Sequence, residues 1–142
     1  MRIWKSALLT VSLFIPGLLY GGSVQAQAIH RTATDIALKN GESTEVGDVY
    51  FISTDCKSVL KATPTVDILD GPPGVSATIN PADVVPTGYS CAKPIRGGKL
   101  VITAKDIPMY SHSRMTLRIN FSTLTGERQR AENFYITLFP AD

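Results

Sequence analysis

The stretch Met115-Thr116-Leu117-Arg118-Ile119-Asn120-Phe121-Ser122 constrains this chain more than any other. Met115, Leu117, Ile119 and Phe121 take every second position, and Thr116, Arg118, Asn120 and Ser122 fill the gaps. Successive side chains of an extended strand point to opposite faces. A period of two therefore means a strand with one face in a core and the other in water. Thr125-Gly126-Glu127 supplies a turn, and Phe134, Ile136 and Leu138 then repeat the alternation. This predicts a hairpin that buries one face, with a register open by about two residues because one sequence does not reveal the loop type.

Further short apolar runs, at Ile29–Leu38, Val46–Ser53, Thr65–Leu69, Val75–Asn80 and Lys99–Ala104, are separated by Gly, Pro, Asp and Asn. About seven short strands with turns every 8–12 residues predict an all-β fold, an immunoglobulin-like antiparallel β-sandwich. The Cys…Trp…Cys pattern of antibody domains is absent, since the one Trp is Trp4. Within "ILDGPPGV" (Ile68–Val75), Pro73-Gly74 fits a type II turn, with Gly74 at the position that needs positive φ. The stretch is therefore expected to be a rigid bend between strands. Pro72 and Pro73 carry no N–H, which argues against a phosphate-cradling loop.

The N-terminus follows different rules. Arg2 and Lys5 precede an apolar run from Ala7 to Tyr20, and small residues ending in Val24-Gln25-Ala26 and Ala26-Gln27-Ala28 offer two adjacent cleavage sites. This three-part pattern predicts a cleavable signal peptide at 1–28 and a mature domain at 29–142. The apolar run is short for a membrane span, which needs about 20 residues, and no second one follows. A periplasmic or secreted protein with no transmembrane segment after signal removal is expected.

Export reframes the charge. The whole chain carries 14 basic and 12 acidic residues; without Arg2 and Lys5 the signs balance at 12 each. A neutral domain has no global field to draw it to nucleic acid, so no nucleic-acid partner is expected. The charge is uneven, however. Residues 29–90 hold four basic and eight acidic side chains, and 91–142 hold eight basic and four acidic. Pairing of the two halves across one sandwich accounts for this. Two cysteines in an exported protein predict one disulfide, Cys56–Cys91.

The order "CKSVLK" (Cys56–Lys61), "ILDGPPGV", Cys91, "GGKLVITA" (Gly97–Ala104) and "YITLFP" (Tyr135–Pro140) resembles small exported bacterial proteins of unknown function. Pro73-Gly74-Val75 leading into an alternating strand is also similar to immunoglobulin-like and fibronectin-like repeats. The resemblance implies export, a disulfide and an all-β domain, and carries no activity or site residue.

Chemistry is sparse. Ser58-Val59-Leu60-Lys61 spells S-x-x-K without the partner motifs of penicillin-interacting enzymes. Ser111 or Ser113, His112 and Asp106 spell a triad, but neighbours in one loop rarely reach one another as nucleophile and base. No enzyme and no cofactor are expected. The function expected is a non-enzymatic binding or structural module of the bacterial envelope, with a protein or glycan as candidate partner. The alternative is a copper site. Met109, His112 and Met115 read M-x2-H-x2-M, His30 lies near the mature N-terminus, and thioether with imidazole suits Cu(I). A candidate docking face is formed by Arg114, Arg118, Arg128 and Arg130.

Overall fold

A computed structural model describes residues 29–87 and 91–142. The expected signal peptide lies outside the described residues. Eight strands follow in order: β1 (Ile29–Arg31), β2 (Asp35–Lys39), β3 (Ser43–Val49), β4 (Thr65–Asp70), β5 (Val75–Val84), β6 (Ile95–Ala104), β7 (Ser111–Thr123) and β8 (Gly126–Phe139). They form two four-stranded sheets, ordered β1-β3-β6-β5 and β2-β8-β7-β4. The first is called sheet A below and the second sheet B. The fold is all-β, consistent with an immunoglobulin-like sandwich.

The expected hairpin is β7–β8. Met115, Leu117, Ile119 and Phe121 are all but inaccessible, as are Phe134, Ile136 and Leu138. Thr123 pairs with Gly126, so the tip is Leu124-Thr125, earlier than the turn expected around Gly126. The Thr123 hydroxyl explains the shift. It donates to the Gly126 carbonyl at 2.6 Å and accepts from the Thr125 N–H at 3.3 Å, closing the tip before Gly126. Gly126, at φ 119°, supplies a backbone angle other residues rarely adopt.

Two expectations change. The run 29–38 is two strands rather than one, which makes eight among the described residues. β1 pairs antiparallel with β3 in sheet A, the chain switches sheets across Thr32–Thr34, and β2 joins sheet B. A strand that changes sheets must run beside whatever edge it meets, and β2 meets β8 in parallel. The sandwich is therefore mixed, not wholly antiparallel. β5 also runs on through Pro81 to Val84. An edge strand tolerates Pro because one side of its backbone has no ladder to lose.

Between the sheets, Val46, Val49, Leu100, Ile102 and Ala104 of sheet A meet Ile36, Leu38 and the hairpin residues of sheet B. The buried side of sheet A changes along its length. On β5 the shielded positions are Val75, Ala77 and Ile79, then Ala82 and Val84, although pairing with β6 continues without a shift. Without a bulge, this parity change means that the far end of sheet A buries its outer face. The cover comes from the segments after β3 and β5. Tyr50, Ile52, Val84 and Cys91 form a second cluster there, and the expected disulfide Cys56–Cys91 is present, with Cα atoms 5.6 Å apart.

The bend "DGPPG" carries the chain from β4 in sheet B to β5 in sheet A. Gly74 sits at φ +84°, as the type II turn requires. A Cβ there would lie 2.5 Å from the Lys105 carbonyl oxygen, so space as well as φ selects glycine.

Candidate functional site

The core positions of β7 and β8 determine which side chains stand on the outer face of sheet B. On β7 these are His112, Arg114, Thr116, Arg118, Asn120 and Ser122. On β8 their register partners are Thr137, Tyr135, Asn133, Ala131, Gln129 and Glu127. β2 adds Asp35, Ala37 and Lys39 beside Tyr135, Thr137 and Phe139.

This face has two chemically distinct halves. Towards the hairpin tip it is polar and satisfied from within. Thr116 Oγ1 donates to Asn133 Oδ1 at 2.8 Å, and Ser122 Oγ to Glu127 Oε1 at 2.9 Å. Asp67 Oδ2 accepts from Asn120 Nδ2 at 2.9 Å and from Arg118 Nη2 at 3.0 Å. The Asn120 amide first, and then the Arg118 guanidinium, hold the Asp67 carboxyl below its ordinary value.

The other half carries aromatic rings without cover. Tyr135 is 49% exposed, Phe139 39% and Tyr110 60%, and Met109 next to it reaches 68%. Tyr110 meets Phe139 edge-on, with ring centroids 5.4 Å apart. His112 lies parallel to Tyr135 at 6.3 Å, and its Nδ1 is 2.8 Å from Thr137 Oγ1. Beside the strip, Pro72, Pro73, Ile107, Pro108, Met109, Ser111 and Leu138 line a hollow of 260 Å³. That is below the roughly 300 Å³ at which small-molecule pockets begin. A large exposed apolar surface on a soluble domain marks an interaction site more often than a single exposed ring does. Tyr, Phe and Met are enriched in protein interfaces.

The structure separates most of the residues singled out from sequence. Met115 is fully buried on the inner face of β7, whereas His112 is exposed on the outer face. Met109 precedes β7, and His30 stands on β1 in the other sheet. Met115 and His30 are therefore not brought to His112: β1 lies in the other sheet, and a spacing of three along β7 reverses the face between His112 and Met115. Among the described residues no group of three or more His, Cys, Asp or Glu is placed to hold a metal.

The arginine face divides for the same reason. Arg114 and Arg118 point outward. Arg128 and Arg130 pair with Phe121 and Ile119 and so belong to the core-facing side, where the end of β8 projects past cover and leaves them exposed. Arg130 Nε sits 2.9 Å from Glu132, whose other oxygen lies 3.4 Å from Arg31 Nε. Arg118 is occupied by Asp67, so Arg114 alone of the four is an outward cation without an ion pair among the described residues.

The remaining motifs have structural partners. Ser58 Oγ donates to the Arg96 carbonyl at 3.0 Å. Ser111 and Ser113 lie on the face of β7 opposite His112, which rules out the triad geometry. The uneven charge finds its pairing in Asp48–Lys99 at 2.5 Å and Asp67–Arg118 at 3.0 Å, each joining the acidic half of the chain to the basic half.

No known family model and no curated protein sequence matches the chain. Its functional reading therefore rests on the geometry above.

Sequence reasoning passed over the aromatic strip. The signal was available: if Phe134, Ile136 and Leu138 face the core, Tyr135 and Phe139 face water. Aromatic side chains in outward slots are the informative exception to the alternation.

Proposed function

We propose that the chain is an exported, non-enzymatic, immunoglobulin-like binding module of the bacterial envelope, periplasmic or secreted, and that it docks through the aromatic half of the outer face of sheet B. The observation that carries this reading is the contrast within one sheet face. One half uses its polar groups on itself. The other leaves Tyr110, Tyr135 and Phe139 exposed. Export is supported by the N-terminal pattern of charge, apolar run and small residues, together with the Cys56–Cys91 disulfide, which persists in oxidising compartments. A protein partner fits better than a glycan. Tyr135 is flanked by Asp35 and Arg114, charges of opposite sign without an ion pair among the described residues, and a polypeptide supplies both counter-charges where a neutral sugar supplies neither.

Photo-crosslinking tests the surface. A photoreactive residue at Tyr135 or Tyr110 should capture a partner in the intact envelope, whereas one at Asn120 or Gln129 should not. Equal capture from both halves, or none from either, would refute the docking surface. Cell fractionation with N-terminal sequencing tests export; a chain that starts at Met1 in the cytoplasm would refute it.

A further inference from the structure

Three rows cross the aromatic half of sheet B, each running β2–β8–β7. The register places Asp35, Tyr135 and Arg114 side by side, then Ala37, Thr137 and His112. In the last row Lys39 lies beside Phe139, which touches Tyr110. Each row has unlike ends about its centre: acid against base, small against large, cation against ring. Asp35 and Arg114 make no ion pair among the described residues. Among the described residues the Asp35 carboxylate accepts only from the hydroxyl of its neighbour Thr34, at 3.4 Å.

We infer that the occupant of this surface is a second copy of the chain, packed face to face about a two-fold axis that runs along β8. The inference rests on the docking surface proposed above and names its partner. A two-fold axis along the central strand leaves each row in place and exchanges its ends. Tyr135 meets Tyr135 of the other copy. Asp35 meets Arg114 of the other copy, and the same pair forms twice, as an isologous contact requires. His112 falls over the small side chain of Ala37, and Lys39 falls over the Tyr110 ring, the pairing a cation–π contact uses. A partner of one charge sign would leave either Asp35 or Arg114 facing a like charge, which disfavours it. The surface is complementary to itself.

Sedimentation velocity on the mature, disulfide-bonded protein tests this. The wild type should show concentration-dependent dimers. Asp35→Arg sets two arginines against each other at both contacts, and Arg114→Asp sets two aspartates against each other. Each variant alone should dimerise at least about tenfold more weakly. An equimolar mixture of the two variants restores an opposite-charge pair at both contacts and should dimerise again. Both substitutions are at exposed positions, and an unchanged melting temperature verifies folding. A wild type that stays monomeric, single variants that dimerise like the wild type, or a mixture that stays monomeric would each overturn the inference. If the wild type is monomeric while Tyr135 still crosslinks to another protein, the self-association fails and the docking surface stands. If Tyr135 crosslinks to nothing, both fail.

Discussion

Removal of the Cys56–Cys91 bridge should cost the domain much of its stability, and the structure sets both the size and the place of the loss. The bridge spans 35 residues of sequence. On the chain-entropy account, opening a loop of that length releases about 4 kcal/mol of constraint on the unfolded chain. An unfolding entropy of about 2.1 cal/mol/K per residue over 29–142 converts this to a fall in Tm of roughly 15 °C. The loss is large against the 5–15 kcal/mol that holds a typical domain together. It is not spread evenly. The bridge ties the segment after β3 to the one after β5, over Tyr50, Ile52 and Val84. This cluster on the outer face of sheet A should open first, so the amides of Ser53 and Val59, bonded to the Lys57 and Phe51 carbonyls, should lose protection from hydrogen exchange well before those of β7. The assay is calorimetry of the disulfide-bonded protein against Cys56→Ser/Cys91→Ser, with exchange measured on both. Cys56 holds a left-handed backbone at φ 61°. Cys56→Gly/Cys91→Ser should therefore recover about 1 kcal/mol of the loss. Coincident melting curves for oxidised protein and double serine variant would refute the reasoning. Equal loss of protection across both sheets would refute its localisation.

Further expectations follow from single side chains. Met115→Ala empties a fully buried site between the sheets and should cost 2–5 kcal/mol in urea unfolding at unchanged slope, by analogy with other buried Met and Leu truncations. Ser113 Oγ is a buried hydroxyl with no hydrogen-bond partner among the described residues, so Ser113→Ala should stabilise by about 1 kcal/mol, read as a higher denaturation midpoint. The folded Asp67 carboxyl titrates below its ordinary value of 3.8. Its contribution to stability is thus complete above that value and is lost as pH falls through the lower folded one. NMR titration should show Asn120→Ala and Arg118→Ala each moving the Asp67 midpoint upward.

The two sheets were legible where the chain alternates cleanly, and obscure where one rule overrode another. β7 and β8 follow from Met115–Phe121 and Phe134–Leu138 because one face meets water and the other meets the opposite sheet. The run 29–38 hides two strands because a chain that switches sheets keeps its β character through the bend, and nothing local marks Thr32–Thr34 as the crossing. β5 outlasts its expected end at Asn80 because Pro81, read as a breaker, sits on an edge. The reversal of buried face along sheet A depends on which loop covers its far end, and that cover is joined through Cys56 and Cys91. The arginine face failed on alternation: Arg128 and Arg130 fall on the same side of β8 as Phe134, Ile136 and Leu138, which face the core, and so opposite to the side that stands with Arg118.

The two halves of the outer face also explain how such a surface can remain specific. An open sheet face lined by rings invites any apolar partner, and free strand edges add to that hazard. Here the polar half closes its hydrogen bonds on itself, from Thr116–Asn133 to the Arg118–Asp67–Asn120 cluster, and offers little that is unsatisfied. The aromatic half is bounded by Asp35 and Lys39 on β2 and by Arg114 on β7. A partner that covers Tyr135 must bring a base to Asp35 and an acid to Arg114 at the separation of two strands, about 10 Å. Indiscriminate apolar contact would leave both charges beside a dry ring with no counter-ion, an arrangement that costs more than the ring's burial returns. On the docking surface proposed above, selectivity would thus arise from the rejection of wrong partners at the rim, and affinity from Tyr110, Tyr135 and Phe139 at the centre.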